Sequence, residues 1–432
     1  MTNRSIKLAS LAAGLLALSS PHAWAQTSPS TPPAEPTAAT PPAPAPITTV
    51  EGERHNMLAP PPAAPPAPTA MTTPAMSFPL SANSTPTKFD VGSLGTWYVT
   101  GAVSGLAFTQ DHSFAGDAKN RTDMSNGQVF IQKVDGPVQF FVQAVVYSLP
   151  DLGLPYIRAG DSLNAFYGPL PVAFVKFVPN DKISILAGKL PTLIGAETTF
   201  DFEDTNIERG LLWNQENAVT RGVQLNYTSG PIAASLTWTD GFYSNRYNWL
   251  TGMVTYTIDS SNTLCLIGGK STKRTTINTT ATPILLNNEQ IYNLIYTHIA
   301  GPWTFQPYLQ YSRVPASAII GNLKEASTTG AAVFINYTFD AKSELAGFSL
   351  PVRLERITST GSVADGSPNL LYGPGSKAWS ITVTPTYQYK IFFVRGELSY
   401  VKASGVTSGS GFGPFGRNTN QTRALIETGV LF

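Results

Sequence analysis

The sequence predicts an all-β fold, a transmembrane antiparallel β-barrel of about sixteen strands, preceded by a disordered Pro-rich segment. Three observations lead there. Only 13% of the 432 residues are charged while Gly, Ser, Thr, Asn and aromatics are plentiful, a mixture that fits an all-β wall, with a soluble all-β sandwich as the alternative. Segments of about ten residues alternate apolar and polar side chains, the length a tilted strand needs to cross a bilayer. The connections between these segments alternate between short and long, as periplasmic turns and outer loops do.

The chain opens with the three parts of a secretory signal over residues 1–25: Arg4 and Lys7, the apolar run LASLAAGLLAL, and AWA before Gln26. Export in a Gram-negative cell and residence in its outer membrane are therefore expected. The formal charge is +1, and losing Arg4 and Lys7 with the leader gives 1 − 2 = −1, so nothing calls for nucleic acid as a partner. Cys265 is the sole cysteine, which excludes an intrachain disulfide and a cysteine metal site. No cofactor or metal motif stands out.

Residues 26–87 are dominated by Pro, Ala, Thr and Ser, as in APPPAAPPAPTA, a composition that buries no core and reads as a solvated periplasmic tether. Residues 88–432 carry the barrel pattern. From Trp379 to Tyr389 the residues Trp379, Ile381, Val383, Pro385, Tyr387 and Tyr389 share one face, and Ser380, Thr382, Thr384, Thr386 and Gln388 share the other. Aromatic residues at the ends of the apolar face match the two interfaces of a bilayer. Strands are expected near 95–109, 126–134, 138–147, 170–178, 181–189, 219–228, 232–240 and 248–258, then 262–272, 289–299, 302–313, 328–339, 347–358, 377–389, 391–403 and 421–432. The count is even, which puts both ends of the barrel in the periplasm.

The stretch from Ile183 to Tyr227 contains Gly188-Lys189 at the end of a strand, Gly195-Ala196-Glu197 in the following loop, and Arg221-Gly222 opening the next strand. In this it resembles the OmpL-like outer-membrane β-barrel porins and their phosphate-porin relatives. The resemblance implies a passive channel for small hydrophilic solutes or ions, of a kind that often forms homotrimers. The ending on Phe432 after an alternating strand is similar to the signal that barrel-assembly machinery reads. Outer-membrane lipids and the solutes complete the expected partners. The loop is mostly acidic, so phosphate selectivity is not carried over.

Candidate functional residues follow from the connection 190–218, the third and longest outer loop. It contains Glu197, Asp201, Glu203, Asp204, Glu208 and Glu216 against Arg209 alone. Folded into the lumen, these acids would set a negative potential at the narrowest point and favour cations slightly; folded outward, they would be an ordinary solvated surface. Strand parity turns Lys176, Arg353, Glu355, Arg395, Glu397, Arg423 and Glu427 inward. A transverse field from loop to arginines is one expectation. Neutralisation of each Arg by the Glu two residues on is the other. Two further function classes stay open: a non-conducting structural barrel tethered to the cell wall, and an outer-membrane lipid hydrolase. The hydrolase needs a Ser beside a His, and only His298 lies on a strand. No enzymatic activity is expected.

Overall fold

The computed structural model describes Met76 and residues 79–432; the leader expected at 1–25 and most of the expected tether lie outside the described residues. The described chain forms one continuous sheet of eighteen extended segments, all pairings antiparallel. One segment, Thr87–Asp90, is a short N-terminal addition, and two others are halves of a single interrupted strand, which leaves sixteen staves.

The staves are β1 (Thr96–Gln110), β2 (Asn120–Lys133), β3 (Val138–Tyr147), β4 (Ala173–Asn180), β5 (Ile183–Pro191), β6 (Val219–Ser229), β7 (Ile232–Thr239) and β8 (Trp249–Thr257). The second half comprises β9 (Asn262–Ser271), β10 (Gln290–Ala300), β11 (Trp303–Val314), β12 (Ala326–Thr338), β13 (Phe348–Ser359), β14 (Lys377–Val383 and Thr386–Tyr389), β15 (Phe392–Ser404) and β16 (Asn420–Leu431). Pairing of β16 with β1, from Arg423 against Gln110 to Leu431 against Ala102, closes the ring. Phe432 finishes the seam: its N–H donates to Gly101 O at 2.9 Å and its carbonyl accepts from Gly101 N at 2.8 Å.

Alternation decides what each side meets. On β6, Val223, Leu225 and Tyr227 are exposed while Gln224 and Asn226 are buried, and the pattern repeats around the ring. The exposed side is apolar, while the enclosed side carries the polar and charged strand residues together with buried apolar clusters such as Phe130, Phe141 and Phe393. Aromatic contacts gird both rims. Trp303 packs on Tyr337 and Phe348 on Tyr387 on the short-turn side, with ring centroids 4.7 and 4.6 Å apart, and Trp379 meets Tyr400 on the loop side at 5.4 Å.

Two strands start three or more residues from expectation, and a third is interrupted. β2 starts at Asn120 rather than 126 because a bulge between Ser104 and Gly105 lets the pair run on toward the first outer loop. β4 starts at Ala173, three residues late, where the second loop runs on past its short helix Ala159–Ala165. The ladder of β14 breaks around Pro385, which lacks an N–H to donate.

If the outward face meets lipid, Leu225→Lys costs about 2–4 kcal/mol at midplane. Gln224→Lys, one residue away on the wet side, costs less. Equilibrium unfolding from lipid vesicles measures both, and equal costs would reverse the assignment of faces.

Candidate functional site

The loop between β5 and β6 runs through the barrel. Every residue from Thr192 to Thr220 is buried, so the loop folds inward rather than over the surface. The Gly-x-Glu of the sequence starts this path. Gly195 has φ +91, a conformation that disfavours a side chain, and a Cβ there would stand 1.7 Å from Glu216 Oε2. Its N–H donates to Asn293 Oδ1 of β10 at 3.1 Å. Glu216 then accepts from the Tyr308 hydroxyl of β11 at 2.6 Å, and Gln310 Nε2 donates to Leu212 O at 2.8 Å.

On the far wall the expected inward charges line up against the loop. Arg353 on β13 donates to Glu197 Oε1 at 2.6 Å, and its Nε lies 3.2 Å from Glu355. Arg423 on β16 pairs with Glu208 and donates to Gln110 Oε1 at 2.9 Å. Arg395 on β15 donates from Nε to Glu427 at 2.9 Å and from its other nitrogens to the backbone carbonyls of Asp201 and Asp204 at 3.0 and 3.1 Å. These guanidiniums each reach more than one acceptor, which a lysine could not do with the same geometry.

The wall glutamates bind the loop's main chain. Glu397 accepts from the N–H groups of Ile207 and Glu208 at 2.6 and 2.9 Å and from Thr384 Oγ1 at 2.7 Å. Glu355 accepts from Leu211 N at 2.9 Å and from Ser380 Oγ at 2.8 Å. Gly210 is required between them, since a Cβ would sit 2.1 Å from Glu355 Oε1. Charge-assisted bonds of this type are the strong ones in a site shielded from water.

Pairing with the Glu two residues on therefore describes only Arg353 with Glu355, and there beside the closer Glu197. Arg395 pairs instead with Glu427 across the strand junction, and Arg423 with the loop acid Glu208. Asp201 and Asp204 accept from Asn126 Nδ2 and Thr198 N, and Glu203 is buried beside them. Lys176 faces inward and makes no ion pair among the described residues. Sequence reasoning missed Asp151, which comes from the second outer loop and holds the loop's only cation, Arg209, at 2.6 Å. Arg209 also lies 5.2 Å over the Trp213 ring. No sequence signal tied Asp151 to a partner 58 residues away. Below the loop, Phe130 stacks on Phe141 and meets Phe202, with centroids 6.0 and 6.2 Å apart.

Burial governs the protonation of the loop acids. Removal from water pushes Glu197 up to about 7 although Arg353 pulls it down, and Asp201 up to about 7 with Glu427 adding repulsion. Burial likewise raises Asp204 and Glu216 well above their ordinary values. An acid whose folded value is raised holds more protons folded than unfolded, so docking of the loop strengthens as pH falls from about 7 toward 4.5 and weakens as it rises through that window.

A family of sequences described as "Putative beta-barrel porin-2, OmpL-like" matches residues 97–432. No curated protein sequence matches the chain. Among solved structures, an anion-selective porin from Comamonas acidovorans shares the fold at TM-score 0.55 and 12% identity, covering 78% of this chain and 99% of that one. The trimer form of OmpT, an outer-membrane protein of Vibrio cholerae, aligns at TM-score 0.52 and 9% identity over 78% and 99%. The outer-membrane channel DcaP of Acinetobacter baumannii aligns at TM-score 0.51 and 11% identity over 79% and 99%.

Arg353→Ala leaves Glu197 and Glu355 without their cation and is expected to destabilise the barrel by about 3–5 kcal/mol. The loss is read in unfolding midpoints, and an unchanged midpoint would mean that the pair does not clamp the loop. Limited proteolysis within 192–218 should slow as pH drops from 7 to 5, and a rate that stays flat or rises, after correction for protease activity, would contradict the protonation order above.

Proposed function

The chain belongs to the OmpL-like β-barrel porin-2 family, a premise from which we propose that it is a passive channel for small hydrophilic solutes or ions with a slight preference for cations. It works in the outer membrane, without chemical turnover. The supporting observation is the set of polar and charged side chains on the enclosed face, Gln224, Asn226, Arg353, Arg395 and Arg423 among them, crossed by an acidic loop.

Carboxylates outnumber cations where the loop meets the wall. The loop's Glu197, Asp201, Glu203, Asp204, Glu208 and Glu216, with Asp151, Glu355, Glu397 and Glu427, face Arg209, Arg353, Arg395 and Arg423. Much of that excess is muted by pairing and by protonation of the raised acids. The residual potential is negative but small, and weak selectivity follows from it rather than from a strong transverse field. The burial of every residue from Thr192 to Thr220 favours a narrow passage, suited to ions and small solutes.

The same burial also supports a second reading, a sealed structural barrel in which the loop fills the lumen. Conductance separates the two. On the wider assembly, the leader at 1–25 directs export, the terminal Phe432 is read by barrel-assembly machinery, and three copies associate as in the trimer form of the similar OmpT structure. Native mass spectrometry of detergent-extracted protein gives the copy number.

In planar bilayers the purified protein should give open-channel currents with a reversal potential slightly toward cations. Glu203→Lys with Asp204→Lys should move that potential toward anions. Absence of current from folded protein would leave the sealed barrel, and an unmoved reversal potential would remove the loop from selectivity.

A further inference from the structure

The described residues just ahead of the first stave, 79–95, do not hang free below the barrel. Thr87–Asp90 pairs antiparallel with Thr96–Val99, so tracing backward from Asp90 the chain climbs away from the short-turn rim. Before it, Leu80 is 2% exposed and belongs to one buried cluster with Ala102, Phe130, Phe393 and Leu431. Those four side chains all point into the lumen, and the outward residues of the same rim, Phe392 and Tyr389 among them, remain exposed. Leu80 therefore lies inside the wall.

A second contact fixes the neighbouring residue. Ser81 N donates to Gln388 Oε1 at 2.8 Å, and Gln388 Nε2 donates back to Ser81 O at 2.8 Å. Gln388 follows Thr382, Thr384 and Thr386 on the lumen face of β14, at its short-turn end. This paired amide contact copies one rung of a β-ladder with a side chain, and it satisfies both backbone groups of Ser81. The remaining partly buried Met76 packs on the same cluster.

We propose that the lumen face at the periplasmic mouth, built from the Gln388 amide and the apolar floor of Ala102, Phe393 and Leu431, is a binding surface for the chain's own segment around Leu80 and Ser81, and that this segment narrows the channel from below. The inference rests on the channel reading above. The cluster that receives Leu80 continues upward through Phe130 and Phe141 to Phe200 and Phe202 of the inserted loop, so segment and loop occupy one column of the lumen from opposite ends. The attachment is small, Leu80 and the partly buried Met76 with one amide clip, which makes it the part of the lumen content most readily withdrawn.

Two measurements on the full chain test it. Leu80→Asp puts a charge where the cluster is dry, expelling the segment, and single-channel conductance should rise above that of the unmodified protein. In a Cys265→Ser background, Ser81→Cys and Gln388→Cys joined by a reducible bis-methanethiosulfonate cross-linker should conduct less than the same protein after reduction, with heat-modifiable gel mobility confirming a folded barrel in both states. Equal currents from all forms would overturn the inference while leaving the channel intact. Silence from every form, Leu80→Asp included, would overturn the channel reading and this inference with it.

Discussion

In hydrocarbon a backbone amide has no partner except another strand, and that constraint orders everything else in this molecule. Each stave must find two neighbours, so the last must meet the first. The seam does this through β16 and β1 and is completed by the reciprocal bonds between Phe432 and Gly101. Closure separates a lipid side from an enclosed side, and the period of two then assigns every residue to one or the other.

Once the ring is closed, its inside is a place where charges can be gathered, and those at the contact between loop and wall are buried. The loop from β5 to β6 exploits this by reaching the wall opposite its origin and exchanging charges for backbone groups. Wall arginines hold loop acids and carbonyls, and wall glutamates hold loop N–H groups. The arrangement is reciprocal. Removing either set leaves the other buried and unmatched, a larger cost than the modest net worth of each pair. A loop fastened to the wall at several points along its length is the consequence.

Much of the barrel was legible because β alternation is a local code. Parity alone turned Arg353, Glu355, Arg395, Glu397, Arg423 and Glu427 inward, and all six lie buried on the lumen side. The identity of their partners was not legible, since Glu197 meets Arg353 across 156 positions and Glu208 meets Arg423 across 215. Such pairings depend on the path of the loop through space. Asp151 escaped notice for the same reason. Leu80 escaped for a different one: a single leucine at the end of a Pro-rich stretch carries no periodicity, and composition there speaks only for solvation. The strand starts at Asn120 and Ala173 shifted because bulges and loop packing are set by neighbours, not by the strand's own residues.

The loop crosses the lumen and fastens to β13, β15 and β16. A cryo-electron microscopy map of the protein in lipid nanodiscs tests this most directly. Density for residues 192–220 should traverse the barrel and merge with the side chains of Arg353, Arg395 and Arg423. Density for that segment lying over the outer rim, with the three arginines facing open water, would contradict it.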